Sequence, residues 1–284
     1  MQIGIFSRVF RRPTLAATLD AVQAAGFDVV QFDLMCAGLP DVPDLPARID
    51  PAMAGAIGDA FRTRGMTMAA VSGTYNIIHP DPAGRSAGLR GLRAIAAACE
   101  ALGTRIITLS TGTRNPHNMW RSHPDNRSPA AWEEAVVALR EIAAIGAEHD
   151  VLMAFEPEVS NVVDSASRAQ RMLAEVGSPF LKVVIDGANL FHEGELPAMQ
   201  SILREAFTLL GDQIVLAHAK DLDHDGDAGN LPAGHGLLDY RLYLQLLHTS
   251  GYRGPLVLHG LDETQAAGCA AFLTNQLQAI TPGV

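Results

Sequence analysis

Glu156, Asp186, His218 and His259 each close a short apolar run: VLMAFE, LKVVID, IVLAH and PLVLH. They are separated by 30, 32 and 41 residues. Two carboxylates and two imidazoles at the ends of four successive runs of this kind form a mixed oxygen and nitrogen donor set suited to one divalent cation. Glu156 and His259 are also the groups of that set expected to work as acid or base, an imidazole being able to titrate near neutrality. Glu158 follows Glu156 across Pro157, which redirects the chain, and is expected to contact substrate or serve as an auxiliary base. Lys220, two residues past His218, is a further polar group expected at the substrate, and so is Asn189, three past Asp186.

Such residues converge only if their runs are strands ending at a common rim. A recurring unit supplies that arrangement. A segment with helical periodicity closes on a Gly, and a β-rich run follows within a few residues, after Gly26, Gly65, Gly103, Gly177, Gly211 and Gly251. Gly at that position allows the left-handed cap that turns a helix toward the next strand. Adding MQIGIFS at the start and VLMAFEPE in the middle gives eight strands. The intervening segments place Leu15, Leu19 and Val22 on one helical face, and Trp132, Val136, Leu139 and Ala143 on another, with Ser128-Pro129 as an N-cap and first-turn pair. Strands apolar throughout that alternate with helices indicate a parallel sheet covered by helices. Eight units with no linker between them predict a single-domain α/β fold over 1–284, a (β/α)8 TIM barrel. An open doubly wound sheet is the alternative, but its usual Gly-rich phosphate loop is missing after the first strand, which runs into SRVFRRP.

In a barrel the active site is built at the C-terminal strand ends. Besides the four above, those ends carry Ser7, Arg8, Gln31, Asp33, Ser72, Ser110 and Thr111. Two long loops are expected to shape the pocket. The first, Thr111 to Asn126, offers Arg114, Trp120, His123 and Asn126 for binding a sugar or carboxylate. The second, LDHDGDAGNLPAGHG, is expected to be a flexible lid that brings His235 toward the substrate; it lacks the bidentate Glu of a calcium loop.

Composition narrows the partners. A net charge of -10 opposes general binding to nucleic acid phosphates, so a small molecule is the expected substrate. The three cysteines, Cys36, Cys99 and Cys269, are far apart and fit reduced thiols. No apolar run reaches membrane-spanning length and the N-terminus has no secretory pattern, so a cytoplasmic location with no membrane partner is expected.

MAFEPE, VVIDGANLFHEGE, VLAHAKD, GHGLLDY and YRGPLVLHG together resemble the sugar phosphate isomerase/epimerase superfamily, the xylose isomerase-like barrels. That group includes ketose 3-epimerases, hydroxypyruvate isomerase, inosose dehydratase and, more distantly, endonuclease IV. The resemblance covers nearly the whole chain. It implies one Mn, Mg, Co or Zn ion held by Glu156, Asp186, His218 and the residue at position 259, and a homodimer or homotetramer. The family typically has Glu where this chain has His259, and the two glutamates act there as bases on opposite faces of the substrate. It commonly has His where this chain has Asn189. Replacing Glu by His takes the ligand set from about minus one to about zero around a dication, which favours a Lewis-acid role.

The expected activity is therefore a metal-dependent isomerisation or epimerisation of a small ketose, hydroxyketone or sugar acid, phosphorylated or not, through an enediolate. A lyase or dehydratase acting on an oxidised sugar is the runner-up, and a non-catalytic sugar-binding barrel the third reading. Hydrolysis of damaged DNA is opposed by the acidic chain and by the missing histidines.

Overall fold

The computed structural model describes residues 1–40 and 42–280. Eight strands, β1 (Ile3–Phe6), β2 (Val29–Phe32), β3 (Thr67–Ser72), β4 (Ile106–Ser110), β5 (Leu152–Glu156), β6 (Leu181–Asp186), β7 (Ile214–Ala219) and β8 (Leu256–Leu258), pair in sequence order. All pairs are parallel, and β8 returns to β1 to close the barrel. The helices that alternate with them are α1 (Leu15–Ala24), α2 (Pro51–Arg62), α3 (Pro82–Leu102), α4 (Pro129–His149), α5 (Ala166–Val176), α6 (Met199–Leu210), α7 (Tyr240–Thr249) and α8 (Ala266–Ile280). This is the (β/α)8 architecture that the apolar strand runs require, because each strand is buried on both faces.

The caps follow the local chemistry. Ser128 Oγ accepts from the Ala131 N–H at 3.2 Å ahead of Pro129, which opens α4. Gly103 ends α3 in the left-handed conformation, at φ 83°. Gly211 differs from the expectation: its φ is -52°, and it continues α6 into a short 3-10 turn instead of reversing the chain. At the end of α4 the left-handed position is held by Asp150, at φ 55°.

Side chains alternate between two cores. One lies between the sheet and its helices, with fully buried Phe32, Phe155, Leu92, Leu139 and Tyr243. The other, formed by Phe6, Ala70, Ala154, Val184, Leu216 and Val257, is a separate cluster drawn from six strands. These alternate positions fill the barrel interior, as the layered packing of such barrels demands. Phe6 touches both ring systems of the polar site, at centroid distances of 5.3 Å from His218 and 4.9 Å from His259.

Candidate active site

Register sets the height of the polar residues. Ser110 is paired with Glu156, Asp186 with His218, and His218 with Val257, two positions before His259. The last residues of β5 and β6, a β7 side chain and the residue after β8 thereby meet at one rim. Ligand atoms of Asp186, His218 and His259 lie within 4.8 Å of one another. His259 Nε2 is 2.9 Å from Asp186 Oδ2. His218 Nδ1 is 3.3 Å from Glu156 Oε2, is buried, and has no hydrogen-bond partner.

Gln31, noted in the sequence only as a strand end, explains that orphaned nitrogen. Its Nε2 donates to Thr108 Oγ1 at 3.0 Å and to Ser72 Oγ at 3.3 Å, which leaves Oε1 facing His218 Nε2 at 2.8 Å. An amide oxygen can only accept, so Nε2 carries a proton and Nδ1 is the ring nitrogen turned toward Glu156, the one left to serve as a ligand atom. The sequence signal for Gln31 was a lone polar side chain in an otherwise apolar run; in the fold it is 1% exposed. A cation fits this donor set: a buried nitrogen without a hydrogen-bond partner, two carboxylates and a second imidazole face one space.

The electrostatics follow from burial and neighbours. Burial pushes the Asp186 carboxyl up, but Lys220, whose Nζ is 3.8 Å away, and His259 outweigh it and hold the pKa at about 2. Burial likewise opposes the charged form of Glu156, yet His218 and Lys220 together bring it below the ordinary carboxylate range. For Glu158 burial prevails over Lys220 and, with repulsion from Glu156 and Asp186, raises the pKa to about 7. His259 is lowered to about 4, by burial first and then by its positive neighbours, against the pull of Asp186. The sequence predicts a ligand or a base near neutrality at this position; in the fold His259 is a neutral imidazole against the Asp186 carboxylate.

Among the remaining expected residues, Glu158, Asn189, Lys220 and Trp120 line one cavity of about 990 Å³ together with Glu156 and His259. Asn189 Nδ2 donates to Glu156 Oε1 at 2.5 Å, while its Oδ1 accepts from the Gly229 N–H at 3.2 Å. Three others are not brought to the cavity. Arg114 is turned into the protein, donating to the Ile78 carbonyl at 3.2 Å and pairing with Glu134 at 2.7 Å. His123 caps the turn Pro124–Arg127 by accepting from the Asp125 N–H. His235 is exposed beyond the cavity lining. Asn126 is buried and structural, accepting from the Arg114 N–H at 2.7 Å and donating to the Ser160 carbonyl at 3.0 Å. The segment after β7 is not a loose lid: Gly226 N–H donates to Phe191 O, Gly229 N–H to Ala188 O, and Leu196 N–H to Asp225 Oδ2. No helix among the described residues is long and apolar enough to cross a membrane.

Comparison with known proteins agrees with this architecture. L-ribulose-5-phosphate 3-epimerase UlaE of Shigella flexneri serotype 5b is 23% identical over 190 residues, which cover 67% of this chain and 62% of that protein. The matched part is thus less than two thirds of that relative's length. The apo crystal structure of the 3-keto-D-glucoside 4-epimerase YcjR from E. coli superposes with a TM-score of 0.73 at 18% identity, covering 97% of this chain and 99% of that one. The zinc-bound IOLI protein structure gives 0.73 at 16% identity, with full coverage of both chains. At such identities the structural likeness speaks for the fold. Residues 19–274 match the family model described as xylose isomerase-like TIM barrel, nearly the full length, and the chain belongs to that family.

Proposed function

We propose that this protein is a metal-dependent isomerase or epimerase of a keto sugar or related hydroxyketone, acting by proton transfer at the carbon beside the carbonyl. The carrying observation is the buried His218 Nδ1, without a hydrogen-bond partner and facing Glu156, in the Asp186, His218 and His259 cluster. The curated relative is a sugar phosphate epimerase, and one structural neighbour holds zinc, which supports the same reading. Glu156, Asp186, His218 and His259 would hold one divalent ion. When bound, that ion supplies Lewis-acid stabilisation of negative charge developing on the substrate oxygens.

The chain's own residues do the rest. Asn189 fixes the Glu156 carboxylate through Oε1, so the base is oriented before substrate arrives. Glu156 takes the proton from the carbon beside the carbonyl, leaving an enediolate. Glu158, buried in the same cavity, returns a proton to the neighbouring carbon or oxygen. Lys220, 7% exposed and facing the cavity, places a positive charge beside the developing oxyanion. His259, neutral and held on Asp186, acts as a ligand instead of a second base.

Both carboxylates available for proton transfer come from the end of β5, with none from β8 opposite the substrate. That asymmetry favours an aldose–ketose isomerisation, and gives specific support to a second reading, elimination from an oxidised sugar. Elemental analysis of the purified protein, followed by incubation of ketoses in deuterated solvent, tests the proposal. About one Mn, Co, Zn or Mg per chain is expected, with deuterium entering beside the carbonyl and Glu156→Gln slowing entry by about 10²–10⁴-fold. No metal uptake together with no exchange would overturn it in favour of a binding barrel, whereas exchange accompanied by loss of water from the substrate identifies the eliminating enzyme.

A further inference from the structure

Among the buried carboxylates near the rim, Asp221 and Asp33 take no part in proton transfer. Asp221 accepts the backbone N–H groups of Leu222, Gly234 and Leu238, and so clasps the segment after β7. Asp33 is 0% exposed and stands outside the cavity lining, where it touches no substrate. Taking a carboxylate out of water is costly, and one kept there depends on the groups that pair with it. The partners of Asp33 lead to His218.

Asp33 directly follows β2 and lies two positions past Gln31, on the same face of the chain. Gln31 pairs with Ala70 and Phe32 with Val71, which brings Asp33 level with Ser72 at the end of β3. Ser72 Oγ donates to Asp33 Oδ1 at 3.0 Å. The same oxygen receives the fork of Arg8, Nε at 2.8 Å and Nη2, while Oδ2 accepts from the Arg8 N–H and the Ser7 hydroxyl, each at 3.2 Å. All of these neighbours present a hydrogen, and Arg8 supplies the countercharge.

That carboxylate gives the hydrogen bonds beyond it a direction. The Gln31 amide meets Ser72, Thr108 and His218, at 3.3, 3.0 and 2.8 Å. A hydroxyl can donate or accept, and either imidazole nitrogen can carry the proton, so Thr108 and His218 would fit the amide in both of its orientations. Ser72 would not. Its one hydrogen is committed to Asp33, because a carboxylate oxygen can only accept. Ser72 Oγ therefore offers Gln31 a lone pair and nothing else, and the amide must present Nε2 to Ser72 and Oε1 to His218. Among Ser72, Thr108, His218 and Asp33, the carboxylate is the member whose role cannot reverse.

We propose that Asp33 is a positioning residue for His218: acting through Ser72 and Gln31, it sets which way the amide points, and so keeps a proton on Nε2 and leaves Nδ1 as the ligand atom. The consequence for metal binding rests on the proposed metal site, whereas the proton arrangement does not and is read on chelator-treated protein. The test records the ring nitrogens of ¹⁵N-histidine-labelled protein by NMR at about pH 8, above the ordinary histidine pKa, with the His218 signals assigned by their loss in His218→Gln. The parent is expected to carry a proton on Nε2. Ser72→Ala cuts the link while leaving Asp33 and Arg8 together, and Asp33→Ala removes the anchor. Both should lose that form in favour of one protonated at Nδ1, toward Glu156, and bind Mn or Co about tenfold more weakly in chelator competition. Ser72→Thr keeps the hydroxyl and should keep both properties. The double variant should be no worse than Ser72→Ala, because Asp33 acts through that hydroxyl. A purely structural role for Asp33 would lower the unfolding midpoint without moving the His218 nitrogens, and would overturn the proposal. So would a parent protonated at Nδ1 alone, unchanged His218 signals in Ser72→Ala, which decides the matter even where Asp33→Ala does not fold, or additive losses in the double variant. A parent that takes up no metal refutes only the metal-site reading; metal uptake with His218 unmoved in Ser72→Ala refutes only this one.

Discussion

At the scale of single residues the site depends on which nitrogen of His218 carries the proton. Gln31 fixes that choice, and it is itself fixed by Ser72 and Thr108, so four strands contribute to one tautomer. Removing the amide leaves Nε2 without its acceptor, so the ring proton is free to move to Nδ1, which already faces Glu156. Gln31→Leu should therefore weaken metal binding by about 10–100-fold, the usual cost of losing such an outer partner, as measured by competition with a chromogenic chelator. A variant with unchanged affinity would mean that His218 does not bind through Nδ1. The residue types of the proposed ligand set could be read in the sequence because each ends an apolar run. Gln31's role could not, since it exists only once β2 and β7 project their side chains into the same barrel interior. Arg114 and His123 show the opposite limit: polar residues in a long loop look like ligand contacts, but this loop uses them to satisfy its own backbone and its packing against α4.

At the scale of elements, the strand pattern was fully legible, because burial on both faces leaves nearly uninterrupted apolar runs and each helix needs a reversal before the next strand. The loops were less so. The segment after β7 reads as a flexible Gly- and Asp-rich lid, yet it is tied by backbone hydrogen bonds to the segment after β6. That neighbouring segment has its own electrostatic anchor: His192 Nε2 lies 3.3 Å from Asp164 and its Nδ1 3.2 Å from Glu195, with Arg168 and Arg127 flanking Asp164. The hydrogen bond and charge of Asp164, reinforced by Glu195 and only partly offset by burial, raise the His192 pKa. A raised folded pKa means a stabilisation fully present below the unfolded histidine value and lost as pH rises through the folded value. Chemical denaturation between pH 5 and about 8.5 should show that loss, and His192→Gln should flatten it; an unchanged pH slope in the variant would show that the cluster does not hold the segment.

For the whole molecule, the barrel concentrates buried charge in one place. Asp186, His218 and Lys220 are almost fully buried, Glu156 and His259 are partly so, and desolvation opposes the charged form of Glu156 and Asp186. The apolar layer of Phe6, Val184, Leu216 and Val257 beneath them contributes stability that the polar rim partly offsets. A cation that binds the folded donor set and not the unfolded chain adds to stability by mass action, because the ligands converge only when β5 to β8 are paired. At free metal about 100-fold above its dissociation constant the gain is about 2.7 kcal/mol. With about 2–4 °C per kcal/mol for a chain of this size, the midpoint of thermal unfolding should rise by about 5–10 °C on adding Mn, Co or Zn to chelator-treated protein. Asp186→Asn and His218→Gln should each remove most of that rise, whereas Trp120→Ala, at the outer rim, should keep it. A rise that survives both ligand substitutions would place the cation elsewhere on the molecule, and the absence of any rise would leave the orphaned His218 nitrogen as an unpaired polar atom, a cost to the fold without a chemical use.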